Sequence, residues 1–263
     1  MTLNQAIQTM VTQILSILDD TKATIYLYGS AALGDFKLGW SDIDIIALTE
    51  HEPTDQQADT LVNLRQEMLK QYPDNPYFQL FEGSIRSQDA FLNNKIERTV
   101  YWGTSGQRIT DTYNLDSFTT TELIENRILL CGEDILAGQL TYPTHDAFKS
   151  DIRHHYHAIR AYAQITSGEI TSCGWMLDIA RGLYTLKTNT IIAKTAAGEW
   201  AIAEGLAPDA DVLKRVLQIR NNPLCYMNDA DTLEWCATLG VYIQAFADVL
   251  KKELKNEHGK NQI

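Results

Sequence analysis

Residues 29–46 read Gly29-Ser30-Ala31-Ala32-Leu33-Gly34-Asp35-Phe36-Lys37-Leu38-Gly39-Trp40-Ser41-Asp42-Ile43-Asp44-Ile45-Ile46. The stretch that leads into it, ATIYLYG at 23–29, is rich in β-branched and aromatic residues and stops at a glycine. A buried strand is therefore expected to end at Gly29-Ser30. Small residues at such a turn let backbone N–H groups approach an anion. A loop then leads to IDIIAL at 43–48, an apolar run read as a second strand. Side chains alternate along a strand, so Asp42 and Asp44 are expected to share a face, with Ile43 and Ile45 packed behind. Neighbouring carboxylates repel unless a cation lies between them. Mg²⁺ is bound by one or two carboxylates together with phosphate oxygens and water. An Asp-x-Asp pair alone reads more readily as two solvated acids at a strand start; its coupling to the strand-Gly-Ser turn is what points to a metal-assisted site.

Around this segment the pattern is α/β. Leu3, Ile7, Met10, Val11, Ile14, Leu15 and Leu18 recur at helical spacing and predict an amphipathic opening helix, not a leader peptide. Residues 55–71 carry Leu61, Leu64 and Met68 on one stripe, closed by Tyr72-Pro73. YFQLFEGSI at 77–85 is a third strand, and 90–118 reads as loop plus a strand. After Tyr142-Pro143 the chain turns helical, with stripes at Ile152, Tyr156, Ile159 and Ala163 and at Trp175, Ile179 and Leu183. Further helices are expected at 195–204, 209–221 and 229–254, and the tail KNEHGKNQI is expected to fray. The domains are placed at 1–145 and 146–263: a mixed α+β sheet domain followed by an all-α helical bundle.

Composition excludes several classes. The 263 residues are 44% hydrophobic and 21% charged, ordinary for a folded soluble protein. No run approaches the roughly 18 apolar residues of a membrane span. Thirty-four acids against 22 lysines and arginines give a net charge of −12, which disfavours a nucleic-acid partner and favours a cationic one. Cys131, Cys173, Cys225 and Cys236 are far apart and are read as reduced thiols of a cytoplasmic monomer; Cys173, near a helix start, has no partner nearby in sequence. His154, His155 and His157 in RHHYH are read as surface histidines, and Trp175, Trp200 and Trp235 as core packing.

Gly-Ser, a short loop and Asp-x-Asp in an apolar strand together resemble the signature of the nucleotidyltransferase superfamily with the DNA polymerase β-type fold. The resemblance implies nucleotidyl transfer from an NTP with two metal ions, and a third carboxylate on a later strand. Glu82, in YFQLFEGSI, is the one acid embedded in an apolar run between 75 and 90; Asp89, just beyond, is the reserve. WMLDIARGLYTLKTNTIIAKTAAGEWAI at 175–202 is similar to the helical second domain of the aminoglycoside 3''/9-adenylyltransferases. That likeness implies ATP and two Mg²⁺ ions. It places Asp42 and Asp44 on metal, Glu82 on the hydroxyl proton, and Gly29, Ser30, Ser41, Arg181 and Lys194 on the nucleotide, with a cleft between the two domains. It also implies a small cationic acceptor, an aminoglycoside or aminocyclitol of the spectinomycin or streptomycin type, with Trp102 and Glu169 as the nearest acceptor-binding residues. Two departures bear on the acceptor. Thr171 stands where an acid is wanted, and the loop LGDFKLGW carries Phe36 and Trp40 and is one residue longer than usual. The same chemistry on a protein or RNA acceptor, or a nucleotide-binding regulator without catalysis, are the competing readings.

Overall fold

In the computed structural model, which describes residues 1–19, 21–103 and 106–256, the segment Gly29–Asp42 lies between two antiparallel strands. The first part of the chain runs α1 (Leu3–Leu18), β1 (Ala23–Tyr28), a single turn α2 (Gly29–Ala32), β2 (Ile43–Thr49), α3 (Asp55–Gln71), β3 (Phe81–Ser87), a short α4 (Gln88–Leu92), β4 (Thr99–Gly103), β5 (Gly106–Thr110), α5 (Ser117–Glu125) and β6 (Ile128–Cys131). The long helices start where their caps dictate. Thr2 with Gln5 and Thr54 with Gln57 form reciprocal capping boxes that satisfy backbone donors of the first turns of α1 and α3.

The six strands lie in the order β5-β4-β3-β2-β1-β6. Only β2 and β3 run parallel; the other neighbours are antiparallel, so the sheet is mixed. One face carries Ile25, Leu27, Ile43, Ile45, Ala47, Ile85, Val100 and Trp102, packed against the apolar stripes of α1 and α3. Ile43 and Ile45 are thus buried behind the acids, as the alternation requires. Tyr26, Tyr28, Ile46 and Leu48 lie on the opposite face with Leu123 and Leu136. The ambiguous stretch after residue 90 resolves into two paired strands, β4 and β5, where one strand was expected.

The remaining elements are helical: α6 (His145–Tyr162), α7 (Gly174–Thr188), α8 (Lys194–Ala203), α9 (Ala210–Asn221), a short α10 (Pro223–Tyr226), α11 (Ala230–Cys236) and α12 (Gly240–Asn256). The single last helix expected over 229–254 is broken. Gly240 opens α12 so close to the Gln164 carbonyl that a β-carbon would stand 2.0 Å from its oxygen. Chain contacts divide the molecule into two units, Met1–Phe36 with Ser41–Tyr142, and Lys37–Trp40 with Pro143–Ile263. A single boundary near residue 145 does not express the grouping of 37–40 with the helices. Those four residues belong there because Trp40 lies beneath the Arg220 guanidinium (5.4 Å to the ring centre), and Gly39 lies against Pro223 and Leu224. Among the described residues no helix is long and apolar enough to cross a membrane. The expected fraying of the tail concerns 257–263, which lie outside the described residues.

Candidate functional site

The sheet unit gathers the acids by backbone register. Asp44 is the second residue of β2, and in the parallel pairing of β2 with β3 it stands directly beside Glu82. Across the antiparallel pairing on the other side, Asp44 faces Tyr28, the residue before the Gly-Ser turn. Gly29 has φ +66°, and a β-carbon placed there would lie 2.0 Å from Asp44 Oδ2. The carboxylate therefore rests on the bare Cα of Gly29, a seat that only glycine provides. Asp42 stands one residue ahead of β2 and is exposed, and its carbonyl receives a long 3.5 Å contact from the Ser30 hydroxyl. Ser41 is buried. Backbone pairing thus sets Asp44 beside Glu82 and against the Gly-Ser turn, with Asp42 two residues ahead of it in the chain.

The same face carries groups that the sequence did not single out. Burial pushes the Tyr28 phenol well up, and Tyr113 and Asp44 beside it push it further. Burial also raises Tyr113, against the lowering effect of its contact with Tyr28. The Tyr101 ring lies 5.8 Å from that of Tyr113 and carries the Arg108 guanidinium at 4.4 Å. Tyr101 folds over Gly103, where a β-carbon would come within 2.0 Å of its hydroxyl. Sequence gave no signal for this group beyond the aromatic content of 90–118, since Tyr28 reads as ordinary strand and Tyr113 as loop.

Two expectations fail on placement. Trp102 points to the other side of the sheet from its neighbour Tyr101. It is 1% exposed, packs in the α1/α3 core, and its indole N–H donates to the Leu61 carbonyl at 3.0 Å. It is a core residue, and the alternation of β4 is the reason. Asp89, the reserve acid, follows β3 on α4, where it is exposed and tied to Lys95 and Asn93; hydrogen bonds from these two lower its carboxyl.

In the helical unit, Lys194 is the first residue of α8 and its ammonium lies 2.8 Å from Asp178 Oδ1. Arg181 is one turn beyond Asp178 on α7. His155 of α6 brings Nε2 to 3.5 Å from Asp178 Oδ2 and rests its ring 5.8 Å from Trp175. Its reading as a plain surface histidine is corrected: the fold turns it to Asp178, while His154 and His157 stay exposed. Burial raises the Asp178 carboxyl, but the charge of Lys194, the nearby His155 imidazole and the charge of Arg181 outweigh it, and the carboxyl is held well below the usual carboxylate range. Glu169 is exposed, with Thr171 Oγ1 donating to it at 3.4 Å. Cys173 and Cys236, 63 residues apart, bring their sulfurs to 3.9 Å as free thiols, a neighbour that spacing along the chain concealed.

Among the described residues no three His, Cys, Asp or Glu side chains converge as a ready-made metal cluster. The donor set at Asp42, Asp44 and Glu82 is all carboxylate oxygen, which suits a hard divalent cation that takes its remaining ligands from phosphate and water.

A family described as the nucleotidyltransferase domain matches residues 10–100, and one described as the aminoglycoside adenylyltransferase C-terminal domain matches residues 145–237. No curated protein matches this chain in sequence. The fold is similar to that of the spectinomycin adenyltransferase AAD(9) from Enterococcus faecialis, whose crystal structure holds ATP and spectinomycin. The TM-score is 0.64 at 17% identity, over 94% of this chain and 99% of that one. At that identity the likeness speaks for the fold alone.

Proposed function

We propose that the chain, whose residues 10–100 match the nucleotidyltransferase domain and 145–237 the aminoglycoside adenylyltransferase C-terminal domain, moves AMP from ATP to a hydroxyl of a small cationic acceptor, an aminocyclitol or aminoglycoside of the spectinomycin or streptomycin type. The observation that carries this reading is the seating of Asp44 on Gly29 beside Glu82. It joins the phosphate-approaching turn, a metal-type carboxylate and a potential base on three neighbouring strands.

Asp42 and Asp44 are the residues that would hold Mg²⁺. When bound, the metal supplies positive charge that neutralises the triphosphate and stabilises the attacking and leaving oxygens. Backbone N–H groups at Gly29 and Ser30 approach the phosphates. Ser41, buried between the loop and β2, helps fix the approach to Asp42. Glu82 takes the proton from the acceptor hydroxyl as that oxygen attacks the α-phosphorus; the bond to the β-phosphate bridging oxygen breaks and pyrophosphate leaves. Arg181 and Lys194 supply fixed positive charge to the triphosphate. The net charge of −12 suits a cationic acceptor. Glu169 is the acid of the helical unit nearest to where the sequence wants an acceptor contact.

The reading is tested with labelled ATP, Mg²⁺ and a panel led by spectinomycin and streptomycin. Asp42→Asn is expected to lower transfer by about 1,000-fold or more, the scale of losing one charge-stabilising group at a reacting centre. Its melting temperature should stay that of the wild type, because Asp42 is exposed. Unchanged turnover in Asp42→Asn ends the metal-site reading. Label appearing on RNA or on a protein in place of the antibiotics moves the acceptor to a macromolecule, and ATP binding without turnover makes the chain a regulator.

A further inference from the structure

Lys194 does not stand alone at the start of α8. Its ammonium meets one oxygen of Asp178, and the other oxygen of that carboxylate faces His155 Nε2. Asp178 is only 16% exposed, against 31% for Lys194 and 44% for His155. Three elements supply this group: α6 brings His155, α7 brings Asp178 and Arg181, and α8 brings Lys194. Arg181 lies one turn beyond Asp178 on the same helix. The cap residue of α8, Ala193, has no side chain able to accept from the first backbone N–H groups, which adds to the positive end.

We propose that Asp178 is a positioning residue for nucleotide binding: it anchors the Lys194 ammonium so that the lysine's remaining donors meet the triphosphate. The proposal rests on the reading of Lys194 as a phosphate-binding cation. A lysine side chain is long and flexible, and ordering it costs on the order of 2 kcal/mol of rotamer entropy. An ammonium has three donors, and one contact to Asp178 fixes its place while leaving two. A carboxylate beside a phosphate-binding lysine also opposes the anion. Here the carboxylate is already engaged by the Lys194 ammonium at 2.8 Å, so the pair presents the lysine's remaining donors and not a bare negative charge. The anchor itself is stiff. Asp178 lies on a well-packed helix between the buried Leu177 and Ile179, and its second oxygen lies 3.5 Å from His155 Nε2.

The test measures binding without needing the acceptor. Isothermal titration of the whole chain with α,β-methylene ATP and Mg²⁺, and separately with adenosine, compares wild type, Asp178→Asn, Lys194→Met and the double variant. Asp178→Asn is expected to weaken the ATP analogue about fivefold to tenfold, the scale of one misplaced charged contact, and to leave adenosine within about twofold. In the Lys194→Met background the second change should add nothing, since the anchor acts only through the lysine. Asp178→Glu keeps the charge, moves it outward, and should give a smaller loss in the same direction; it serves also if the Asn variant does not fold. Unchanged or tighter analogue binding in Asp178→Asn, full additivity with Lys194→Met, or an equal loss for adenosine each overturns the proposal. If Lys194→Met itself leaves analogue binding intact, the phosphate reading of Lys194 fails and this proposal falls with it. If Lys194→Met weakens binding and Asp178→Asn does not, only the anchor is refuted.

Discussion

The two units hold their charges by different means. In the sheet unit Asp44 and Glu82 are neighbours because β2 and β3 pair in parallel, and the carboxylate of Asp44 sits where Gly29 leaves room for it. Backbone hydrogen bonds and one missing β-carbon do the positioning. In the helical unit Lys194 and His155 meet at Asp178 through side chains from three helices, with no backbone register between them. A site built by register tolerates changes in remote side chains but not in the backbone turn. A site built by side chains responds to loss of any one partner. The difference sets which substitutions should matter most in each unit.

The largest effect should follow the smallest change. Gly29→Ala forces a β-carbon to within 2.0 Å of Asp44 Oδ2, so the carboxylate must leave its seat. Displacing a reacting group by about 1 Å can cost about 100-fold, and turnover is expected to fall at least that far. The backbone adds strain, since φ at Gly29 is +66° and a non-glycine residue there costs about 1 kcal/mol. Gly34 separates the two terms: its φ is +72° and its β-carbon would meet nothing within 4 Å. Gly34→Ala should therefore lose a similar stability with turnover nearly unchanged. Equal kinetic losses in the two variants would show that backbone strain, not the carboxylate seat, governs the reaction.

That contrast between the units also explains what could be read before the structure. Strands and helices that carry a strict period, such as α1, β1, β2 and α3, follow from burial of one face and were legible within a residue or two. The Gly-Ser turn and the Asp-x-Asp strand were legible because neighbours in sequence become neighbours in space across adjoining strands. Glu82 was legible as an acid in an apolar run, although only the parallel register places it beside Asp44. The Asp178, Lys194 and His155 group was not legible as a group, for its members lie on separate helices: Lys194 is singled out for the nucleotide, but nothing in the sequence ties it to Asp178, and His155 reads as a surface residue. The break at Gly240 was missed for a related reason, because nothing local announces the Gln164 carbonyl that Gly240 must admit. Trp102 was expected at the acceptor from the family likeness alone, and the alternation of β4 turns it into the α1/α3 core, which the likeness could not show.

Trp102→Phe sharpens that assignment within the sheet unit. The change keeps an aromatic ring, removes the 3.0 Å bond to the Leu61 carbonyl and leaves that oxygen unpartnered in a buried place. A loss of about 2 kcal/mol is expected from the bond and the vacated volume together. Calorimetry should show a melting temperature lower by several degrees. Turnover and the acceptor KM, measured well below the transition, should stay within about twofold of wild type. A raised acceptor KM with unaltered stability would return Trp102 to the acceptor.

The smallest effect belongs to the helical unit and is read through pH. In the unfolded chain the Asp178 carboxyl titrates near its ordinary value of about 3.9. In the folded chain it is held well below that; burial alone would raise it, but Lys194, His155 and Arg181 together prevail. Between those two values the unfolded chain binds the extra proton and the folded chain does not, so stability rises with pH there. The contribution is complete above the unfolded value and is lost as the pH falls toward the folded one. An asparagine at 178 has no such proton to bind. Melting temperatures of wild type and Asp178→Asn, taken from pH 7 down to pH 3, should therefore converge as the pH drops, with the wild type falling more steeply below about pH 4.5. The other carboxylates titrate in both proteins and cancel in the difference. Because Asp178 is mostly buried, added salt should narrow the gap far less than it would for an exposed pair such as Lys70 with Glu67. Parallel curves would mean that the charges gathered around Asp178 lend no net stability to the helical unit.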